Sequence, residues 1–124
     1  MPKLRSESFG GGDQSWLGSA HGIANCRTET INVSAFTAGT HYPDGYIPSG
    51  FPVAKVNGLL VPYNAAGADG SQNIAGHIFT DQAVVGTADI PAPLLDHGRV
   101  KTARVPLAGF AAPASQPNTN IVYL

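Results

Sequence analysis

PSGFPVAKVNGLLVPYNAAGADGSQNIAGHIFTD, residues 48–81, decides the fold. Apolar runs alternate with turn residues at strand-like intervals: Phe51, Val53 and Val56 lead into Asn57-Gly58, Leu59 to Tyr63 follow, and Ile74 to Phe79 lie beyond Asp69-Gly70. Both central residues of a type I′ turn need positive φ, which Asn-Gly and Asp-Gly tolerate, so the stretch predicts consecutive hairpins. In IAGHIF, Ile74, Gly76 and Ile78 share one face and Ala75, His77 and Phe79 the other. His77 is expected there as a half-buried histidine with a backbone partner.

Upstream, RTETINVSAF (residues 27–36) has period-2 patterning with Ile31 and Val33 inward and Glu29 interrupting the apolar face. It predicts a strand. Residues 37–50, TAGTHYPDGYIPSG, carry two turn punctuations at Pro43-Asp44-Gly45 and Pro48-Ser49-Gly50, predicting an ordered loop anchored by Tyr42, Tyr46 and Ile47. Downstream, residues 82–90 continue extended to a break at Gly86. Asp96-His97-Gly98 is expected to turn, with Asp96 capping nearby backbone N–H groups, and residues 99–107 to form a strand with Lys101 and Arg104 outward. Short helical turns are expected near 92–96 and 107–112, and a linker over 111–118. NIVYL (residues 120–124) reads as a last strand tied into the sheet, because its apolar side chains lose about 25 cal/mol per Å² if left in water.

The first 24 residues are rich in Gly, Ser and charge, with Gly10-Gly11-Gly12 at their centre, and read as a flexible N-terminal arm ahead of a single β-rich domain over 25–124. Phe9, Trp16 and Leu17 are the arm's isolated apolar anchors. Trp16 has two readings of equal weight: an anchor for a partner's pocket, or a cap folded back on its own domain. The fold class expected is mainly β: a compact, β-clip-like or small-barrel domain with short helical turns.

Charged residues make up 12% of the 124-residue chain against about 25% in an average domain. Lysine and arginine total 7 and aspartate and glutamate 8, scattered with no block of one sign. A basic patch for nucleic acid or an anionic membrane is therefore not expected. The sparse charge also suits a surface partly covered by a partner. Cys26 stands alone, which excludes an internal disulfide and a one-chain thiolate cluster, and it reads as a small buried apolar group. No run of signal-peptide or membrane-spanning character is present.

His21, His41, Asp44, His77, Asp81, Asp96 and His97 are the polar residues with chemical potential. None has HExxH, GxSxG or P-loop spacing, and FGGGDQ lacks the strand before it and the lysine after it that phosphate binding needs. Catalytic, cofactor and metal residues are therefore expected to be none.

Five phrases carry a resemblance: DQSWLGSAHG (13–22), VSAFTAGTHYPDGYIPSG (33–50), GLLVPY (58–63), AGHIFTD (75–81) and PLLDHGRV (93–100). Together they cover most of the chain to about Leu107. The chain resembles the head decoration proteins of tailed bacteriophages, the group similar to lambda head decoration protein D, in the form found in phages of actinobacteria. The resemblance implies a β-clip-like homotrimer on the outer face of the virion capsid. There it cements neighbouring copies of the major capsid protein after shell expansion, with an N-terminal arm that orders on the shell. The arm differs from lambda's in sequence and length, so only its existence carries over. No individual binding residue transfers from the family; Phe9, Trp16 and Leu17, as the arm's apolar anchors, are the capsid-binding residues expected, and the resemblance implies no enzymatic activity. Two alternatives stand beside it. One is a virion surface module binding host glycans through Tyr42, Tyr46 and Tyr63. The other is a trimeric β-clip nucleotide hydrolase, whose acidic and Gly-rich phrases the sequence lacks.

Overall fold

The computed structural model describes residues 14–18, 26–86, 88–107, 110–113, 116 and 119–124. Their strands are β1 (Arg27–Ile31), β2 (Tyr46–Ile47), β3 (Pro52–Val56), β4 (Leu59–Pro62), β5 (Ile74–Ile78), β6 (Gln82–Ala83), β7 (Ile90–Leu95), β8 (His97–Val100) and β9 (Asn120–Tyr123). The only α-helix among the described residues is α1 (Ala38–His41). The domain is mainly β, as the hairpin pattern predicts. Five strands close a barrel in the order β1-β4-β3-β5-β7, with β7 returning to β1.

Local chemistry builds this barrel. Asn57 and Gly58 take φ of 55° and 82°, and Val56 pairs with Leu59 across the tight hairpin that results. Asp69 accepts from both the amide and the hydroxyl of Ser71, at 3.1 and 2.6 Å, and Gly70 supplies the positive φ that turns the chain into β5. Ile31, Val33, Phe51, Val53, Leu60, Ile78 and Leu94 fill the interior. The barrel closes most lightly between β1 and β4, which run parallel and meet at the Ile31–Leu60 pair.

An ion-pair chain crosses the outside of the barrel. Lys55 Nζ lies 3.1 Å from Glu29 Oε1, Glu29 Oε2 lies 3.1 Å from Arg27 Nε, and Arg27 Nη2 lies 2.9 Å from Asp96. The Glu29 that interrupts the apolar face of β1 is thus the shared anion between β1 and β3. The two cations are largely exposed, so screening limits the gain. Glu29→Ala is expected to cost about 1 kcal/mol in urea unfolding at low salt, with the difference shrinking as salt rises.

A second, smaller unit packs beside the barrel. β8 and β9 pair in parallel, and Leu17 bridges antiparallel to Val100 on the other edge of β8. Gly18 N–H donates to Arg99 O at 2.8 Å and Lys101 N–H to Trp16 O at 2.6 Å. Residues 14–18, β8 and β9 therefore form a ribbon of two strands edged by the single Leu17 bridge. Its inner face holds Trp16, Leu95, Val100, Val105 and Ile121 in a cluster separate from the barrel core. NIVYL is tied in as expected, with Ile121 and Tyr123 inward and Val122 and Leu124 outward.

Several local expectations are corrected. The strand over 27–36 stops at Ile31 and gives way to a 3-10 turn at Val33–Ala35, although Ile31 and Val33 both face inward. The 37–50 loop contains α1 and β2, and of the described residues in 82–90 only Gln82–Ala83 and Ile90 are strand. The helical turn expected at 92–96 is β7 instead, because β1 offers a full ladder from Arg27 to Ile31. Strand β8 ends at Val100, and a 3-10 turn follows at Thr102–Arg104. Around 107–112, residues 108 and 109 lie outside the described residues, and the others show a Phe110-to-Leu107 turn bond without a helix. Where Asp96-His97-Gly98 is expected to turn, only Asp96 lies between β7 and β8, which begins at His97, and the Asp96 carboxylate pairs with Arg27. In the 111–118 linker, Gln116 clamps β9 by donating to Ile121 O and accepting from Ile121 N–H.

Candidate functional site

The best-built polar site is the socket that holds residues 14–18 against the barrel. Its origin is a proline. β5 and β7 pair His77 with Leu95 and Ile78 with Leu94, so Phe79 and Pro93 come next in register. Phe79 N–H donates to Pro93 O at 2.9 Å, and an antiparallel pair of this kind returns a second bond from the opposite N–H. Proline has none to return. The Phe79 carbonyl is left open, and it accepts instead from Gln14 Nε2 at 2.9 Å and from the Ser49 hydroxyl at 2.7 Å.

The Ser49 hydroxyl in turn accepts from Trp16 Nε1–H at 3.0 Å, so the indole's one polar atom is satisfied inside the protein. Ser49 N–H donates to Asp81 Oδ1 at 2.7 Å, which fixes the 48–50 turn. Gly50, at φ +91°, leaves the space the indole fills, since a Cβ there would stand 2.5 Å from Trp16 Cδ1. Trp16 stacks on the His77 ring, centroids 5.7 Å apart at 22°, and meets Phe79 edge-on.

His77 is fully buried, not half-buried as its alternating neighbours suggest, because the ribbon covers the face of β5 that the barrel leaves open. Its Nδ1 lies 2.8 Å from Gly50 O and its Nε2 2.8 Å from the Tyr123 hydroxyl. A carbonyl can only accept, so Nδ1 carries the proton and Nε2 accepts from Tyr123. Burial lowers the His77 pKa to about 4, partly offset by the Gly50 bond, and raises that of the Tyr123 phenol, with Tyr63 adding to the rise. Both groups therefore stay neutral near pH 7.

Ser49, His77 and Asp81 thus come together, yet they are not wired as nucleophile, base and orienting acid. The Ser49 hydroxyl donates to Phe79 O, and the imidazole nitrogens are spent on Gly50 and Tyr123. Asp81 holds a backbone N–H. The three hold a segment in place.

No family model, curated protein or solved structure matches this chain.

The capsid-binding residues of the sequence reading are redistributed. Phe9 lies outside the described residues, as does His21. Trp16 is 1% exposed and Leu17 half-buried in the second core, so the cap reading of Trp16 holds and neither side chain is presented outward. The arm expected over residues 1–24 is corrected at 14–18, which are bridged to β8 at Leu17 and packed into the second core. Pro93 and Gly50 were the cues that sequence reasoning passed over.

The remaining candidates are dispersed. His41 Nδ1 accepts the Thr37 N–H at 2.8 Å, its ring meets Phe36 and Phe51 edge-on, and burial lowers its pKa. His97 starts β8 opposite Asn120. Asp44 is exposed in the turn before β2. Burial and Asp96 push the Cys26 thiol pKa up, which suits its packing against the second core. Among the described residues, no three His, Cys, Asp or Glu side chains gather to hold a metal ion, and no helix is long and apolar enough to cross a membrane. The three tyrosines form no common platform. Tyr63 lines a groove with His41 and Asp69, Tyr46 a separate cleft with Pro48 and Arg104, and Tyr42 packs on the barrel core.

Proposed function

We propose that the protein is a capsid decoration protein, a trimer that binds the outer face of a tailed-phage head and stabilises the expanded shell. The observation that carries this reading is a convergence in space. Of the five phrases that resemble the decoration family, four meet at the socket: Gln14 and Trp16 from the first, Ser49 and Gly50 from the second, His77, Phe79 and Asp81 from the fourth, and Pro93 and Leu95 from the fifth. Tyr63, the last residue of the third, joins through Phe110. Phrases scattered over the chain thus share one structural task, which is to fix the N-terminal segment on the domain.

Under this reading the barrel is a rigid base, and the socket sets where the residues ahead of Gln14 depart toward the capsid protein. Strand addition by such a segment is physically economical, since main-chain hydrogen bonds accept any side chain. Three arms engaged together multiply weak contacts through avidity.

The test is a truncation that stops short of Gln14. Deleting residues 1–13 is expected to leave a folded trimer with unchanged Trp16 fluorescence that no longer decorates expanded heads. A truncated protein that still saturates heads overturns the arm. A full-length protein that is monomeric at high concentration and fails to bind expanded heads overturns the decoration reading.

A further inference from the structure

His77 sits between two separately packed units. On the barrel side it is held by the Gly50 carbonyl and by its own strand β5. On the other side it is covered by Trp16, stacked at 5.7 Å, by Phe110, edge-on at 5.8 Å, and by Tyr123, tilted at 5.7 Å and bonded to Nε2. Every side chain of that cover belongs to residues 14–18 or to 110–123, and all three pack in or against the second core rather than the barrel core. The cover is a lid.

A proton on Nε2 penalises this arrangement. It removes the lone pair that accepts the Tyr123 hydroxyl, so the phenol must turn its hydrogen away and accept instead, and it buries a cation that has no exposure to water. The groups facing the ring are Tyr123 from β9, Trp16, Phe110 and the Gly50 carbonyl. Tyr63 acts on Tyr123, and Asp81 is engaged by the Ser49 amide. Among the described residues no carboxylate acts on the imidazole to compensate its charge. The cheapest way to hydrate it is to remove the lid, because that exposes one face of β5 without opening the Ile31, Val53 and Leu60 core.

We propose that His77 is an acid-operated latch: its protonation lifts residues 14–18, Phe110 and β9 off the barrel while the barrel stays folded. The sign follows from the two states. Above about pH 6.5 both hold a neutral imidazole and the lid keeps its full strength. Between about 6.5 and 4 only the opened state takes up the proton, so closure weakens as pH falls, and below about 4 the loss is complete. Across that window the opening equilibrium rises by up to about 300-fold.

Trp16 is the only tryptophan, so its emission reads the lid directly. Lowering the pH of the full chain from 7 to 3.5 is expected to red-shift Trp16 and admit a neutral quencher, while amides of Ile31, Val53 and Leu60 stay protected from exchange. His77→Asn, which can still donate to Gly50 O but does not titrate, is expected to abolish this step, and His41→Asn to leave it in place. In the unmutated protein the His77 imidazole NMR shifts should move together with Trp16 emission, which decides the matter even if the Asn variant fails to fold. An identical step in His77→Asn, imidazole shifts that do not follow Trp16, joint loss of barrel protection and Trp16 burial, or no step at all overturns the latch.

Discussion

Trp16→Ala is expected to destabilise the protein by about 3–5 kcal/mol, the range for deleting a fully buried large aromatic. The loss has three sources on the structure. The indole fills the space that Gly50 leaves open, covers the His77 ring, and donates to Ser49. Trp16→Phe separates them, since it keeps most of the packing and removes the hydrogen bond, whose net worth is about 1 kcal/mol. The damage in the alanine variant should concentrate in the second core. Amides of Leu17, Val100 and Ile121 are expected to exchange earlier than those of the barrel, and His77 to titrate nearer to 6.5 as water reaches it. An alanine variant with the wild-type urea midpoint would show that the segment is not part of the folded unit.

Gly76→Ala is the second large effect. Gly76 lies in the middle of β5 at φ +148°, outside the region a side chain tolerates. A Cβ there would press directly on the Leu95 carbonyl oxygen and stand 2.9 Å from Leu94 Cδ1. The first of these is backbone in a paired strand and cannot step aside, so β5 and β7 must separate where His77 pairs with Leu95. The expected cost is about 3 kcal/mol or more, combining strain and overpacking. In a domain of this size that lowers the melting temperature by roughly 10 °C or more. Gly58→Ala is the control: Gly58 also has positive φ, but no heavy atom lies within 4 Å of its added Cβ, so it reports conformational strain without the clash.

The barrel was legible in the sequence where local chemistry is self-sufficient. Asn57-Gly58 and Asp69-Gly70 announce their turns because positive φ and side-chain capping are properties of those residues alone. The apolar runs on either side of them became β3, β4 and β5 within a residue. β7 was not legible, since Pro91 and Pro93 argue against a central strand. The structure tolerates Pro93 because its missing N–H falls opposite a carbonyl that two side chains satisfy, a fact no window of sequence contains. The socket was hidden for the same reason. Trp16, Ser49 and the neighbouring His77 and Phe79 come from three separate parts of the chain with no spacing rule linking them, and only register and topology bring them together. Glu29 looked like a flaw in an amphipathic strand until Lys55 and Arg27 were placed beside it.

The ribbon also imposes an order of assembly. All barrel strands are complete by Leu95, and the hairpin between β3 and β4 closes over two residues, which is among the cheapest loops a chain can form. The ribbon joins Leu17 to Val100, farther apart in the chain than any pair of barrel partners, and β8 to β9, and its closure entropy is repaid only when all three pieces are present. During translation the barrel can therefore form while the Trp16 segment waits, and β9 is the last piece to arrive. Until it does, His77 faces water, and the nascent chain carries an open, apolar groove on an otherwise finished barrel.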